Sequence, residues 1–161
     1  MQSNSKLPTI KKDMSIFKKI DKVLGAFGNI RALERTHVDT YTENLIQNIA
    51  GQKIAESVDG QLWIDFQELA GFDFLESTIL GRTNIKTFDG GKLILRGENE
   101  SLTLNTDITE IVSDYSNVSN CWLTKISYVV SKDNIKFIEE KKPDVIRFEY
   151  KKKSIAFKVI K

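Results

Sequence analysis

Apolar and polar residues alternate with period two through much of the chain from Leu62 to its C-terminal end, the spacing that gives a β-strand one dry and one wet face. The pattern is densest between Thr83 and Val130. There Leu93 and Leu95 fall on one face with Ile94 on the other, and Leu102 and Leu104 alternate with Thr103 and Asn105. The longest strand signal runs from Cys121 to Ser131, with Trp122, Thr124, Ile126, Tyr128 and Val130 sharing a face. β-branched and aromatic residues dominate it, as a half-buried pleated surface favours. Further strands are expected at Leu62–Phe66, at Ile135–Ile138, at 144–150 with Ile146, Phe148 and Tyr150 inward, and at 155–159 with Ile155, Phe157 and Val159 inward.

Turn residues punctuate these runs. Ser57-Val58-Asp59-Gly60, Asp89-Gly90-Gly91, Gly97–Glu100, Lys132-Asp133-Asn134 and Lys151–Ser154 each predict a reversal, the second as a hairpin joining Ile85–Phe88 to Lys92–Arg96. Reversals at such intervals predict an antiparallel meander that bends strongly or curls into a barrel. The segment Glu68–Leu80 fits a helix through Leu69, Phe72, Leu75 and Ile79, or a strand through its Phe-Asp-Phe alternation.

Before residue 57 the period changes. Ile10, Met14, Phe17, Leu24 and Phe27 recur at helical spacing, with Lys11, Lys12, Lys18, Lys19 and Lys22 on much of the rest, so a basic amphipathic helix is expected over Ile10–Phe27. Asn29–Asp39 continues as a short helix. Thr40 and Glu43 have capping-box spacing at the head of a further helix over Tyr41–Ala55, interrupted by Gly51. The expected architecture is therefore α+β: a helical region over 9–56 packed on a mostly antiparallel, strongly bent or barrel-like sheet over 62–161, in one domain of 161 residues.

Composition changes this picture only at its edges. An apolar fraction of 40% is enough for a real core, and a net charge of +2 implies no nucleic-acid partner. The charge is uneven: residues 1–35 carry eight Lys/Arg against three acids and residues 133–161 nine against five, leaving the middle acidic. A single cysteine, Cys121, excludes an intramolecular disulfide and a thiolate zinc site, and reads as a small buried residue beside Trp122. No apolar stretch has the length of a membrane span, so a cytoplasmic location is expected, with attachment to a membrane surface as the alternative.

No catalytic signature emerges. His37 is the only histidine and its neighbours form no motif. Asp89-Gly90-Gly91-Lys92 lacks the spacing of a phosphate loop. Asp107, Glu110 and Asp114 would share a helix face and could hold Mg²⁺ or Ca²⁺, but a solvated acidic edge is the favoured reading. No cofactor is expected. The leading functional expectation is a non-catalytic interaction module for another protein. Its candidate surfaces are the basic helix, the polar loop with Ser116, Asn117 and Asn120, and the lysine turn Lys151, Lys152 and Lys153. An anionic membrane reached through the basic helix is the second expectation, and a divalent-metal enzyme using Asp107, Glu110 and Asp114 the third.

Overall fold

The structure, a computed structural model, describes residues 40–161. The basic helix, the short helix after it and His37 lie outside the described residues. Eleven strands and two short α-helices make up the described part. Helix α1 is Thr40–Gln47, followed by β1 (Gln52–Ser57), β2 (Gly60–Leu69), β3 (Phe72–Gly81), β4 (Lys86–Thr87), β5 (Lys92–Arg96) and β6 (Ser101–Asn105). Then come β7 (Ile111–Val112), β8 (Asp114–Ser116), β9 (Cys121–Val130), α2 (Lys132–Lys136), a π-helical turn (Phe137–Lys141), β10 (Val145–Tyr150) and β11 (Lys153–Val159).

Nine strands form one antiparallel sheet in the order β6-β5-β10-β11-β1-β2-β3-β9-β8, and β4 pairs with β7 as a separate ribbon. The sheet is a curled half-barrel. Curling brings edge strand β6 round beside β9, where the Asp107 N–H just beyond β6 donates to the Ser127 carbonyl at 2.7 Å. The concave side is the core, filled by Leu62, Leu75, Leu93, Leu95, Ile126, Tyr128, Ile146, Phe148 and Phe157. The alternation is the cause: each strand sends every second side chain inward, and each fully buried one stabilises the fold by roughly 1.5–3 kcal/mol. The Phe148 and Tyr150 rings stack there at 5.7 Å.

The expected strands at 121–131, 144–150 and 155–159 are present, as are the turns at 57–60, 97–100 and 151–154. Glu68–Leu80 is strand on both sides of a turn at Ala70 and Gly71, whose φ angles of 53° and 82° suit a tight hairpin.

Four expectations are corrected. The helix over Tyr41–Ala55 ends at Gln47, and Gln52–Ser57 is strand β1, so the helical region does not extend to residue 56. Gly51 explains the switch. Its φ of +84° suits glycine, and a Cβ there would run into the Ile64 backbone carbonyl of β2. Glu43 does not close a capping box: its carboxylate accepts hydrogen bonds from Ser116 and Ser119 instead. Asp89-Gly90-Gly91 does not join a hairpin. The strand before it, β4, pairs with β7, while β5 pairs with β6 and β10. Lys132–Asn134 is no turn, and Ile135–Ile138 is helical. Ser131 caps α2 by accepting from the Asn134 N–H at 3.1 Å, and the Asn134 side chain returns a bond to the Ser131 N–H at 3.0 Å. That reciprocal pair outweighs the weak strand preference of a four-residue apolar run.

Candidate functional site at the end of the curled sheet

One end of the curled sheet opens into a cleft of about 1070 Å³. Its floor is apolar: Ile54 of β1, Ile64 and Phe66 of β2, Ile138 of the π-helical turn, Ile146 of β10 and Val159 of β11. Its rim is charged, with Lys53, Asp65, Glu139, Lys142, Asp144 and Lys161. Each wall has a local cause. β1 carries an irregularity between Lys53 and Ala55, which breaks its register with β2. Lys142 turns left-handed at φ 46° and Pro143 follows, so the π-helical turn stops and hangs over the mouth. Backbone bonds from Asp144 to Arg96 (2.9 Å), from Val159 to Asp144 (2.9 Å) and from Ile160 to Ile54 (2.8 Å) hold the remaining sides together.

Among the described residues the rim is balanced, three cations against three carboxylates. Lys161 lies 3.7 Å from Asp144, Lys53 pairs with Glu56 at 3.2 Å, and Gln67 donates to Asp65 at 3.2 Å. Glu139 and Lys142 hold no ion pair among the described residues. Among the described residues no Ser, Thr, Cys, His or Tyr lines the cleft. What this arrangement can do is take apolar surface out of water while charges at the mouth orient a polar end.

Those residues expected from sequence to carry function that are described are placed elsewhere, and apart. Lys11, Lys12, Lys18, Lys19 and Lys22 lie outside the described residues. Ser116 is fully buried and shapes the β8–β9 turn. Its hydroxyl donates to Glu43 at 2.7 Å and accepts from the Val118 N–H at 3.2 Å, so it staples α1 to the hairpin. The Ser119 and Ser116 hydroxyls hold the Glu43 carboxyl below its ordinary value. Asn120 adopts a left-handed φ of 56° and accepts from the Tyr115 hydroxyl at 3.0 Å, and Asn117 is exposed on the same turn. Lys151, Lys152 and Lys153 are exposed at the β10–β11 turn. Asp107 and Glu110 sit in the approach to β7 and Asp114 opens β8. Among the described residues no three His, Cys, Asp or Glu side chains gather closely enough to hold a metal ion.

Three further ionisable groups among the described residues, Lys132, Tyr128 and Tyr150, are perturbed without lying in the cleft, the last raised by burial. Asp73 accepts from Lys132 and raises its ammonium, and burial raises the Tyr128 phenol deep in the core beside Ser77. Among the described residues no helix is long and apolar enough to cross a membrane.

Sequence reasoning missed the cleft because its lining residues read as ordinary inward positions of several strands. The usable signals were Gly51 inside an apparent helix and Pro143 after a charged run. No protein-family model, curated protein or solved structure matches the chain.

Proposed function

We propose that residues 40–161 form a non-catalytic binding domain whose ligand site is the cleft at the mouth of the curled sheet. The observation that carries this reading is the pairing of an apolar floor with a charged rim at the open end. Barrel mouths are a recurrent place for ligands, and sites of about 300–1,000 Å³ bury most of a drug-sized molecule. The ligand has an apolar body and a polar end. Ile54, Phe66 and Val159, which are only partly buried, cover the body. Lys142 and Glu139, without ion pairs among the described residues, meet the polar end.

The test uses 1-anilinonaphthalene-8-sulfonate as a fluorescent probe, with octanoate and dodecanoate as competitors. The expected result is saturable one-to-one binding, displaced better by the longer chain. Phe66→Glu places a charge on the floor and abolishes the enhancement, while its far-UV circular dichroism matches the parent. Undiminished binding by a folded Phe66→Glu variant overturns the assignment. An interaction with another protein is favoured by a separate observation, an exposed apolar face on the β4–β7 ribbon.

A further inference from the structure

The β4–β7 ribbon has a dry side and a side that no described residue covers. Lys86 pairs with Val112 and Thr87 with Ile111, and the same register places Phe88 opposite Glu110. Hydrogen bonds from Gly90 to the Thr109 carbonyl (2.8 Å) and from Thr106 to the Gly91 carbonyl (3.0 Å) extend the pairing. Thr87, Ile111 and the flanking Ile85 and Ser113 are buried beneath it. Ser113 pins the ribbon to the main sheet, sharing a 2.7 Å bond with Thr124 and bonding both backbone groups of Ile85. Strand geometry sends the alternate residues outward. Phe88 is 58%, Ile108 51% and Val112 47% exposed. Large apolar side chains grouped on a surface and rimmed by polar residues mark interaction sites.

The rim says what kind of partner fits. Asp107 and Glu110 line the same surface as Ile108 and Val112, the exposed Asp89 directly follows Phe88 and the exposed Asp114 opens β8 two residues after Val112, and none of the four carboxylates has a hydrogen bond or ion pair within the described residues. Against these four acids the described residues of β4 and β7 carry one cation, Lys86, whose ammonium stands 5.8 Å from the Phe88 ring centroid. That contact shows the ring face open to a cation. Anionic lipid and nucleic-acid phosphate would meet like charge here.

We propose that the outer face of the β4–β7 ribbon docks a cationic amphipathic segment of a partner protein. The partner's apolar side chains cover Phe88, Ile108 and Val112, and its Lys or Arg side chains reach the four carboxylates. This surface is independent of the cleft, since none of its residues lines it.

Fluorescence anisotropy tests this with the full chain and a labelled synthetic helix bearing leucines on one face and lysines on the other. The counterpart with glutamates in place of lysines is the control. The lysine peptide binds, the glutamate peptide does not, and added salt weakens the complex. Phe88→Ser weakens binding about tenfold, the loss expected for one aromatic anchor, and Glu110→Lys weakens it comparably. Both positions lie on the surface, and unchanged affinity for the cleft probe reports an intact fold. Equal binding of the two peptides, or wild-type affinity in both variants, overturns the proposal. So does a wild-type dimer in sedimentation that Phe88→Ser converts to monomer, since the face would then belong to a second copy of the chain.

Discussion

Gly91→Ala tests the packing of the curled sheet at one atom. Gly91 precedes β5, and a methyl group there would lie 2.6 Å from Phe148 Cζ and 2.8 Å from the Glu149 carbonyl oxygen. Ordinary contact begins near 3.4 Å, so the ring must yield by about 0.8 Å. Phe148 has no room to do so: it is fully buried and stacked on Tyr150. The backbone of Gly91 is not left-handed, so the penalty is overpacking without dihedral strain, about 2–3 kcal/mol. Phe148→Leu removes the offending ring atoms and costs about 1–2 kcal/mol by itself. In the double variant the methyl group occupies the vacated space, leaving only the Glu149 carbonyl to be relieved. The sum of the single losses should therefore exceed the double loss by about 1 kcal/mol or more. Urea unfolding followed by far-UV circular dichroism measures all four proteins, with unchanged m values required. Additivity within about 0.3 kcal/mol would refute the contact, and with it the register that sets β5 against β10.

Two further expectations concern ionisation. The Glu43 carboxyl is depressed in the folded state, so its contribution is present above its ordinary value of 4.5 and is lost as pH falls from there through the folded value. Glu43→Gln should lower Tm at pH 7 and flatten the acid limb of the Tm–pH curve; parallel curves for the two proteins would count against the staple between α1 and the β8–β9 turn. The Tyr128 phenol is raised by burial, so the stability it carries is present below its ordinary value of 10.0 and is lost as pH rises above it. Tyr128→Phe should cost about 1 kcal/mol at neutral pH through the 3.4 Å bond with Ser77, and should remove one late-ionising tyrosine from the ultraviolet titration.

The sheet was legible in the chain where a residue's neighbours in sequence determine its face. Period-two alternation places Ile126, Tyr128 and Val130, Ile146 and Phe148, and Ile155 and Phe157 inward, and all are buried. Glycine-bearing and lysine-bearing turns at 57–60, 97–100 and 151–154 are equally local, since their geometry depends on a few φ angles. Local reading failed where a distant partner decides. Asp89-Gly90-Gly91 has the composition of a hairpin, but β5 gains more by pairing with β6 and β10 over five residues each than by folding back on two-residue β4. Gln52–Ser57 continues a helical pattern, but it fills the gap between β2 and β11. Asp107, Glu110 and Asp114 would converge on a helix, and the chain there is a bend leading into two short strands.

The sequence alone therefore determined an antiparallel, one-faced sheet with a real core, because alternation and turn chemistry are short-range. Only the tertiary structure decided the two candidate surfaces. The cleft requires β1, β2, β10, β11 and the π-helical turn to meet at one end, and the acidic apolar face requires β4 and β7, separated by β5 and β6 along the chain, to pair. Both depend on where the sheet curls and which edges find each other. That is settled by the burial of many side chains at once, and no stretch of sequence carries it by itself.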